Sequence, residues 1–434
     1  MVKVVLLGLG SRGVSGYGKY ALEFPEKMKI SAVCDIDVEK TEKYGDLFQV
    51  ENEKRYTDSN DLFRSGRLGD AIFICTQDQD HFEQAKKALE LGYDILLEKP
   101  ISSNVKECLA LADLAKETGL RVVVCHVLRY TAYFRKIKEI IDEGKIGKLI
   151  AINQLENVEY WHQAHSFVRG NWRNSDTTSP MILQKCCHDF DILYWLCGAE
   201  CEKLSSYGAL NWFKYENAPE GSAKRCLEGC KVKNECPFDA EKIYIEGWRR
   251  LNLNDEEKKR AFPYNQLCID PTEESIYKAI QNGPYGRCVY RCDNNVVDHQ
   301  VVNMLMENGV ICTLTMSAFT KTGGRQIKVM GTAGEIIGDE YGNLIRICRF
   351  GEREEIIDVR TLTNDISGHS GGDNRLVEDF LNMLEGKKGG ICSSTIENSV
   401  ESHIMAFAAE YSRISGGSNI IVRDFINEIY GEKN

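Results

Sequence analysis

Within its first thirteen residues the chain runs from an apolar segment, Lys3 to Leu7, directly into Gly8-Leu9-Gly10-Ser11-Arg12-Gly13. Few folds accommodate that passage. The pattern G-x-G-x-x-G between a strand and a helix permits a tight turn, lets a pyrophosphate approach the backbone, and brings its oxygens to a helix N-terminus. Alone it is a weak signal, because glycine-rich turns are common. A second apolar run, Ile30 to Cys34, ends in Asp35, about 20 residues beyond the last glycine. An acid at that place accepts from both ribose hydroxyls of NAD and repels the additional phosphate of NADP. Together the two features point to a dinucleotide site that takes NAD in preference to NADP.

The alternation of strand and helix continues. Ala71 to Cys75 is a third apolar run, and Asp80 and Glu83 then stand at capping-box spacing before a helix that should stop at Gly92. Tyr93 to Leu97 reads as a fourth strand, Asn104 and Glu107 open a helix closed by Gly119, and Arg121 to Cys125 is a fifth strand. Strands alternating with helices imply a parallel, doubly wound sheet, whose ligands bind beyond the carboxyl ends of the strands. Gly8, Gly10, Ser11, Arg12, Gly13, Asp35, Thr76, Glu98 and Lys99 all fall at such ends, and His81 opens the helix after Thr76. They are the expected cofactor contacts. Lys99 is read two ways. An ammonium after the apolar run Ile95 to Leu97 is either a solvated surface charge or a group aimed into the cleft, and its place at a strand's carboxyl end favours the cleft.

At 434 residues two domains are expected, and 43% hydrophobic residues are ample for their cores. A net charge of −11 argues against a nucleic-acid surface, which needs a basic face. The N-terminus lacks the apolar core of a signal peptide, and no apolar run reaches the length of a membrane span, so a cytoplasmic protein is expected. In that compartment most of the 17 cysteines should be reduced thiols or metal ligands.

The turn GLGSRG, the stretch TQDQDHFEQAKKALELG and the tripeptide Glu98-Lys99-Pro100 resemble the Gfo/Idh/MocA family of NAD(P)-dependent oxidoreductases. The resemblance spans the whole N-terminal domain, residues 1–125. It implies that Lys99 lies beside substrate and nicotinamide.

After Cys125 the pattern changes, and residues 126–434 form the second domain. His126 to Tyr130 lead into a Lys- and Glu-rich helix ending near Gly144. Val301 to Glu307, then Asn308-Gly309, then Val310 to Met316 carry a strong hairpin signal. Arg325 to Met330 and Glu335 to Gly338 read as a further pair. This resembles the large open antiparallel sheet of the same family. An exposed apolar sheet face needs a cover, so a homodimer or homotetramer is expected.

Leu183 to Leu196 has the apolar spacing of a buried helix, with Gln184 and His188 on one face and Lys185, His188 and Asp191 at i, i+3, i+6. A histidine on such a helix is most simply a core residue. The segment resembles the family's D-x-G-x-H-x-x-D helix, in which the His is a catalytic acid/base assisted by an Asp four residues earlier. His188 and Asp191 match, while Gln184 and Cys186 replace the Asp and the Gly. An amide cannot raise an imidazole's proton affinity as a carboxylate does, so the proton carrier among Lys99, Lys185 and His188 is left open. Tyr160 to Arg173 concentrates His162, His165, Arg169, Trp172 and Arg173 in one segment. It reads either as a stacked surface loop or as a wall for a sugar or acidic small molecule. His369, in the polar stretch Gly368 to Asp373, is a further substrate candidate.

An insert at about residues 215–292 holds Cys226, Cys230 and Cys236, followed by Cys288 and Cys292. Thiolate ligation is one reading, with structural zinc on Cys226, Cys230, Cys236 and either Cys292 or Cys288. The Cys236-Pro237 step is also a feature of iron–sulfur loops, and free thiols in a packed insert are the plain alternative. The main functional expectation is an NAD-dependent dehydrogenase acting on a secondary hydroxyl of a sugar, cyclitol or sugar derivative. The alternatives are a glycoside hydrolase working by transient oxidation and elimination, and a non-catalytic sensor of NAD and sugar.

Overall fold

The computed structural model describes residues 1–365, 367–387 and 389–431. Its first sheet comprises β1 (Val2–Leu7), β2 (Met28–Cys34), β3 (Arg55–Tyr56), β4 (Ala71–Ile74), β5 (Asp94–Leu97) and β6 (Val122–Val124). They lie in the order β3-β2-β1-β4-β5-β6, parallel throughout. The direction of winding reverses between β1 and β4, which opens a crevice at the carboxyl ends of those strands. The two-residue β3 carries no periodicity a sequence reading can detect. Asn104 caps the helix Val105–Thr118 by accepting the Lys106 amide, and Gly119 ends it at φ +69°. The expected Asp80–Glu83 capping box does not form. Asp80 is itself in helical conformation and its side chain caps nothing.

The second sheet has nine strands: β7 (Leu149–Asn157), β8 (Cys201–Ala209), β9 (His299–Met306), β10 (Ile311–Ser317), β11 (Gly324–Gly331), β12 (Gly334–Asp339), β13 (Leu344–Arg349), β14 (Glu355–Asp358) and β15 (Ile420–Ile421). Their order is β14-β13-β12-β11-β7-β10-β9-β8-β15. The β9–β10 hairpin closes through Asn308-Gly309, with Gly309 at φ +84°. The sheet is not purely antiparallel, because β7 and β10 pair in parallel at its centre. One face buries Ile152, Met304, Leu314 and Val329 beneath the helix Met181–Cys197. The other is open and mixes Leu155 and Ile337 with Asn153, Thr313, Gln326 and Lys328. It is therefore less apolar than expected.

The two sheets are coupled. The Val124 amide donates to Ser394 O at 2.8 Å, and Val123 bridges Thr395, so a late segment of the chain extends the free edge of the first sheet. His403, on the helix Ile396–Ile414, accepts the Ile101 amide at 2.9 Å, just beyond Lys99-Pro100. These contacts carry the second domain over the crevice.

Candidate active site

The glycine turn shows why its residues are small. Gly8 has φ +95°, and a Cβ there would stand 2.5 Å from the Cys75 carbonyl; one on Gly13 would stand 2.0 Å from Gly8 O. A Cβ on Gly10 meets no atom within 4 Å. Gly8 and Gly13 thus close the turn, while the space above Gly10 is the open approach that a pyrophosphate needs. Asp35 accepts the Leu9 amide through Oδ2 at 2.7 Å and the Asp37 amide through Oδ1 at 3.0 Å, fixing the turn to the end of β2. From the insert, Asn265 Nδ2 donates to the Ser11 hydroxyl at 2.9 Å.

Arg12 and Glu98 are committed to each other. Arg12 Nε lies 2.8 Å from Glu98 Oε1, and its two Nη atoms reach Asp373 at 2.8 and 3.1 Å. The Tyr17 hydroxyl donates to Glu98 at 2.6 Å. Burial raises both carboxyls, yet the surrounding charges and donors, Arg12 foremost, together outweigh it and hold Asp373 and Glu98 below the usual carboxylate range. These residues bind the turn to the strand end and to the helix Ser367–Leu384, which is a positioning role instead of the direct cofactor contact expected of Arg12 and Glu98. His81 is likewise a brace, its Nδ1 2.7 Å from Pro100 O and its Nε2 3.2 Å from Thr76 O. The Thr76 hydroxyl donates to Gln84 at 2.6 Å.

Lys99 leaves the end of β5 half-buried, and its Nζ donates to the backbone oxygen of Gln184 at 2.8 Å. His188 lies one turn further along the same helix, and helical side chains lean toward the N-terminus, so its ring is carried back over that contact. His188 is 8% exposed, and neither its Nδ1 nor the Gln184 Oε1 has a hydrogen-bond partner. Burial first, then the charge of Lys99, lowers the His188 proton affinity well below that of a free imidazole. A neutral ring beside an ammonium is equipped to accept a proton from a neighbouring hydroxyl. His126 packs edge-on to His188 at 5.6 Å between centroids, and His403 packs on its other side at 5.6 Å. Burial and the charge of Arg129 keep His126 neutral as well. Its position after β6, at a strand's carboxyl end, is the signal from which it was predictable.

Lys185 does not stand free beside His188. Its Nζ lies 3.1 Å from Glu156, whose other oxygen is 2.6 Å from Arg325; Arg325 in turn reaches Asp189 at 3.2 Å. Glu156, Arg325 and Asp189 come from different elements, and nothing in the local sequence announces their pairing. Burial raises Glu156 in spite of Arg325 and Lys185. Asp191 is not a substrate residue: it is fully buried and held by two hydrogen bonds from Arg129, at 2.6 and 2.7 Å.

The basic and aromatic segment divides. His162 is half-buried in a cage with Trp161 and Phe262, and burial, followed by the charge of Lys185 and with a contribution from Lys99, lowers its proton affinity. His165 faces the insert instead, with ring nitrogens 3.0 Å from Tyr244 Oη and 3.0 Å from Gln266 Oε1, and burial lowers its pKa to about 4. Arg169 is fully buried against Arg287 O and Phe238 O. Arg173 pairs with Asp293 at 2.8 Å, and Trp172 packs on Phe167. The expectation that His165, Arg169 and Arg173 line a substrate wall is therefore corrected, and with it the basis for an acidic substrate on those arginines. His369 lies 3.4 Å from Arg12 and 3.1 Å from Asp373, at φ +44° in a turn with Ser370 at φ +54°. It stands at the mouth of the crevice.

Among the described residues no three His, Cys, Asp or Glu side chains converge as a preformed metal site, so the zinc expectation finds no ready-made ion site. Cys226, Cys230, Cys236 and Cys288 line one small void, whereas the Cys292 thiol donates to Cys288 O at 3.3 Å.

Residues 2–126 match the NAD-binding Rossmann fold of the Gfo/Idh/MocA oxidoreductase family, and residues 138–412 match its C-terminal alpha/beta domain. The chain belongs to this family. Relatives include the protein YteT of Bacillus subtilis (strain 168), 24% identical over 404 residues, or 88% of this chain and 89% of YteT. Another is the inositol 2-dehydrogenase/D-chiro-inositol 3-dehydrogenase of Lactiplantibacillus plantarum, 27% identical over 50% of this chain and 59% of the relative. Among solved structures, the inositol dehydrogenase homolog complexed with NAD+ from Azotobacter vinelandii superposes with a TM-score of 0.68 at 15% identity, covering 97% of each chain. The WlbA dehydrogenase of Bordetella pertussis, in complex with NADH and UDP-GlcNAcA, gives 0.68 at 15% identity over 97% of each chain. Both superpositions extend over the two sheets of this chain. The insert is where this family member places six of its cysteines.

Proposed function

We propose that this oxidoreductase oxidises a secondary hydroxyl of a cyclitol, sugar or sugar derivative with NAD. The observation that carries the reading is the neutral imidazole of His188, 8% exposed, beside the ammonium of Lys99 at the carboxyl end of β5. NAD, when bound, accepts the hydride. The His188 imidazole takes the hydroxyl proton. Lys99 stabilises the negative charge that develops on the substrate oxygen, in a half-buried site where such charge is poorly screened. His162, with Trp161 and Phe262, supplies flat faces for ring C–H groups. Asp35 selects NAD, and Gly10 leaves room for its pyrophosphate. The inositol-directed activity in the name of one relative supports a cyclitol as the first substrate to test.

A panel of cyclitols, sugars and glycosides incubated with NAD tests this by absorbance of the reduced nicotinamide together with product analysis. Stoichiometric reduced cofactor and a ketone product are expected. Cleavage of a glycoside with no net reduced cofactor would overturn the dehydrogenase reading. The open outer face of the large sheet supports association into a homodimer or homotetramer, which light scattering measures.

A further inference from the structure

The side chain of Arg169, from the segment preceding the insert, enters the insert as a fully buried cation. Arg169 is 0% exposed, and among the described residues no carboxylate lies within ion-pair distance of it. It donates to the carbonyls of Arg287 and Phe238, each at 2.7 Å, and through Nη2 to Cys226 Sγ at 3.5 Å. Its remaining nitrogen, Nη1, is buried with no hydrogen-bond partner. A buried guanidinium in that condition is costly unless negative charge stands near it.

Arg169 lines a void of about 20 Å³ together with Cys226, Cys230, Cys236 and Cys288; Asp239 also borders it, outside ion-pair distance of Arg169 and with its Oδ1 taken by the Glu241 and Lys242 amides. The four come from two separate stretches, Cys226 to Cys236 and the Cys288 turn, which meet through an antiparallel bridge between Arg225 and Arg287. Four neutral thiols give Arg169 no counter-charge. Four thiolates on a metal do, because their combined charge exceeds that of the metal they bind. The sulfurs are not yet gathered at the spacing of one ion. Binding has to draw them inward.

We infer that Cys226, Cys230, Cys236 and Cys288 are the ligands of a soft, thiolate-bound metal centre, zinc or an iron–sulfur cluster, with Arg169 as its buried counter-ion. Each thiol releases its proton to solvent as its sulfur binds. Cys292 is not a ligand, since its thiol is spent on Cys288 O. The centre ties together the two stretches of an insert that also supplies Phe262 to the His162 cage and Asn265 to the Ser11 hydroxyl. It is structural, and it supports the substrate side of the cleft.

The full chain, purified anaerobically without chelators, is analysed for zinc, iron and acid-labile sulfide, and its visible spectrum is recorded. About one zinc per chain and no colour identify the ion; about four irons with matching sulfide and a brown colour identify the cluster. Cys236→Ser and Cys288→Ser should each lose most of the metal, while Cys292→Ser keeps it. Should the first two variants fail to fold, alkylation of the native wild-type chain gives the same answer. Metal should protect Cys226, Cys230, Cys236 and Cys288, and stripping it should expose them together. A chain that stays metal-free after incubation with zinc and after iron–sulfide reconstitution overturns the inference. So does full metal content in both Cys236→Ser and Cys288→Ser, or an alkylation pattern unchanged by stripping.

Discussion

Replacing Lys99 with methionine removes one charge from the cleft while keeping the length of the side chain, and two independent readouts should move. The first is turnover. A single preorganised donor facing a developing oxyanion contributes about 2.7–4 kcal/mol, so kcat should fall by about a hundredfold to a thousandfold. The second is the pH profile. His188 must be neutral to accept the proton, and burial together with the Lys99 charge holds its pKa below the ordinary imidazole value. In the wild type the acid limb of kcat/KM therefore lies below that of a free imidazole, and activity is lost only as the pH falls through this lowered value. Lys99→Met removes the largest charge contribution after burial, so the acid limb must move to higher pH. The variant also loses the hydrogen bond from Nζ to Gln184 O, at 2.8 Å, which a melting curve and NAD titration record separately from the chemistry. Steady-state kinetics across pH 5 to 9, with the substrate found in the panel, measures both quantities. An acid limb that stays in place, or moves down, would falsify the assignment of His188 as the base that Lys99 biases.

Asp35→Asn should narrow the preference for NAD over NADP while keeping an acceptor for the Leu9 amide; calorimetry with both cofactors checks it, and an unchanged ratio contradicts the role of Asp35. Asp35→Ala should in addition weaken both cofactors, by about tenfold or more, because it also frees that amide. Arg12→Met strands the buried carboxylates of Glu98 and Asp373 and should cost about 3–5 kcal/mol of stability. In the wild type these lowered carboxyls stabilise the fold above their unfolded pKa and lose that contribution as the pH falls; without Arg12, burial raises them, so the melting-temperature deficit should shrink on acidification, and a widening deficit refutes the account. Arg173→Ala should leave KM within about twofold, since the side chain is taken up by Asp293 at the surface of the insert. A large rise in KM would return Arg173 to the substrate wall.

The first domain was legible because its information is local. Glycines that admit no Cβ, an acid after a strand, and apolar runs of period two or of full burial each appear within a few residues, and β1, β2, β4, β5 and β6 follow from them. The two-residue β3 and the failed Asp80 cap mark the limit of that reading. The site was legible only in part. Lys99 and His188 sit on elements with clear boundaries, and they meet where the strand ends and the helix face require. The partners of Asp191 and Arg173 lie 62 and 120 residues away, and Asp373 lies 361 residues from Arg12. A charged residue's role is set by what folds against it, and spacing within one segment cannot reveal that. The basic segment Tyr160 to Arg173 therefore looked uniform, although only His162 turns to the cleft while His165 and Arg169 enter the insert.

The exchange of a carboxylate for Gln184 becomes intelligible from the charges around it. A carboxylate four residues before His188 would raise the imidazole's proton affinity, but here the nearest charges acting on that ring are cations, Lys99 and Arg325 among them. The same field that keeps His188 neutral also lowers the energy of an alkoxide in the cleft, so base and substrate are shifted in the same direction. The driving force for proton transfer depends on the difference between the two, and a shared field leaves much of it intact. Lys185 and Arg325 are nonetheless kept from overcharging the cleft, because Glu156 and Asp189 absorb them. Among the described residues Lys99 has no carboxylate of its own and donates only to a backbone carbonyl. It is the cation free to answer charge that appears during the reaction. If that balance is the reason for the amide, Gln184→Asp should raise the His188 proton affinity, move the acid limb of kcat/KM to higher pH, and lower activity at neutral pH. A Gln184→Asp enzyme that is faster at neutral pH, with its acid limb unmoved, would show that the substitution is incidental and that the cationic field does not set the base.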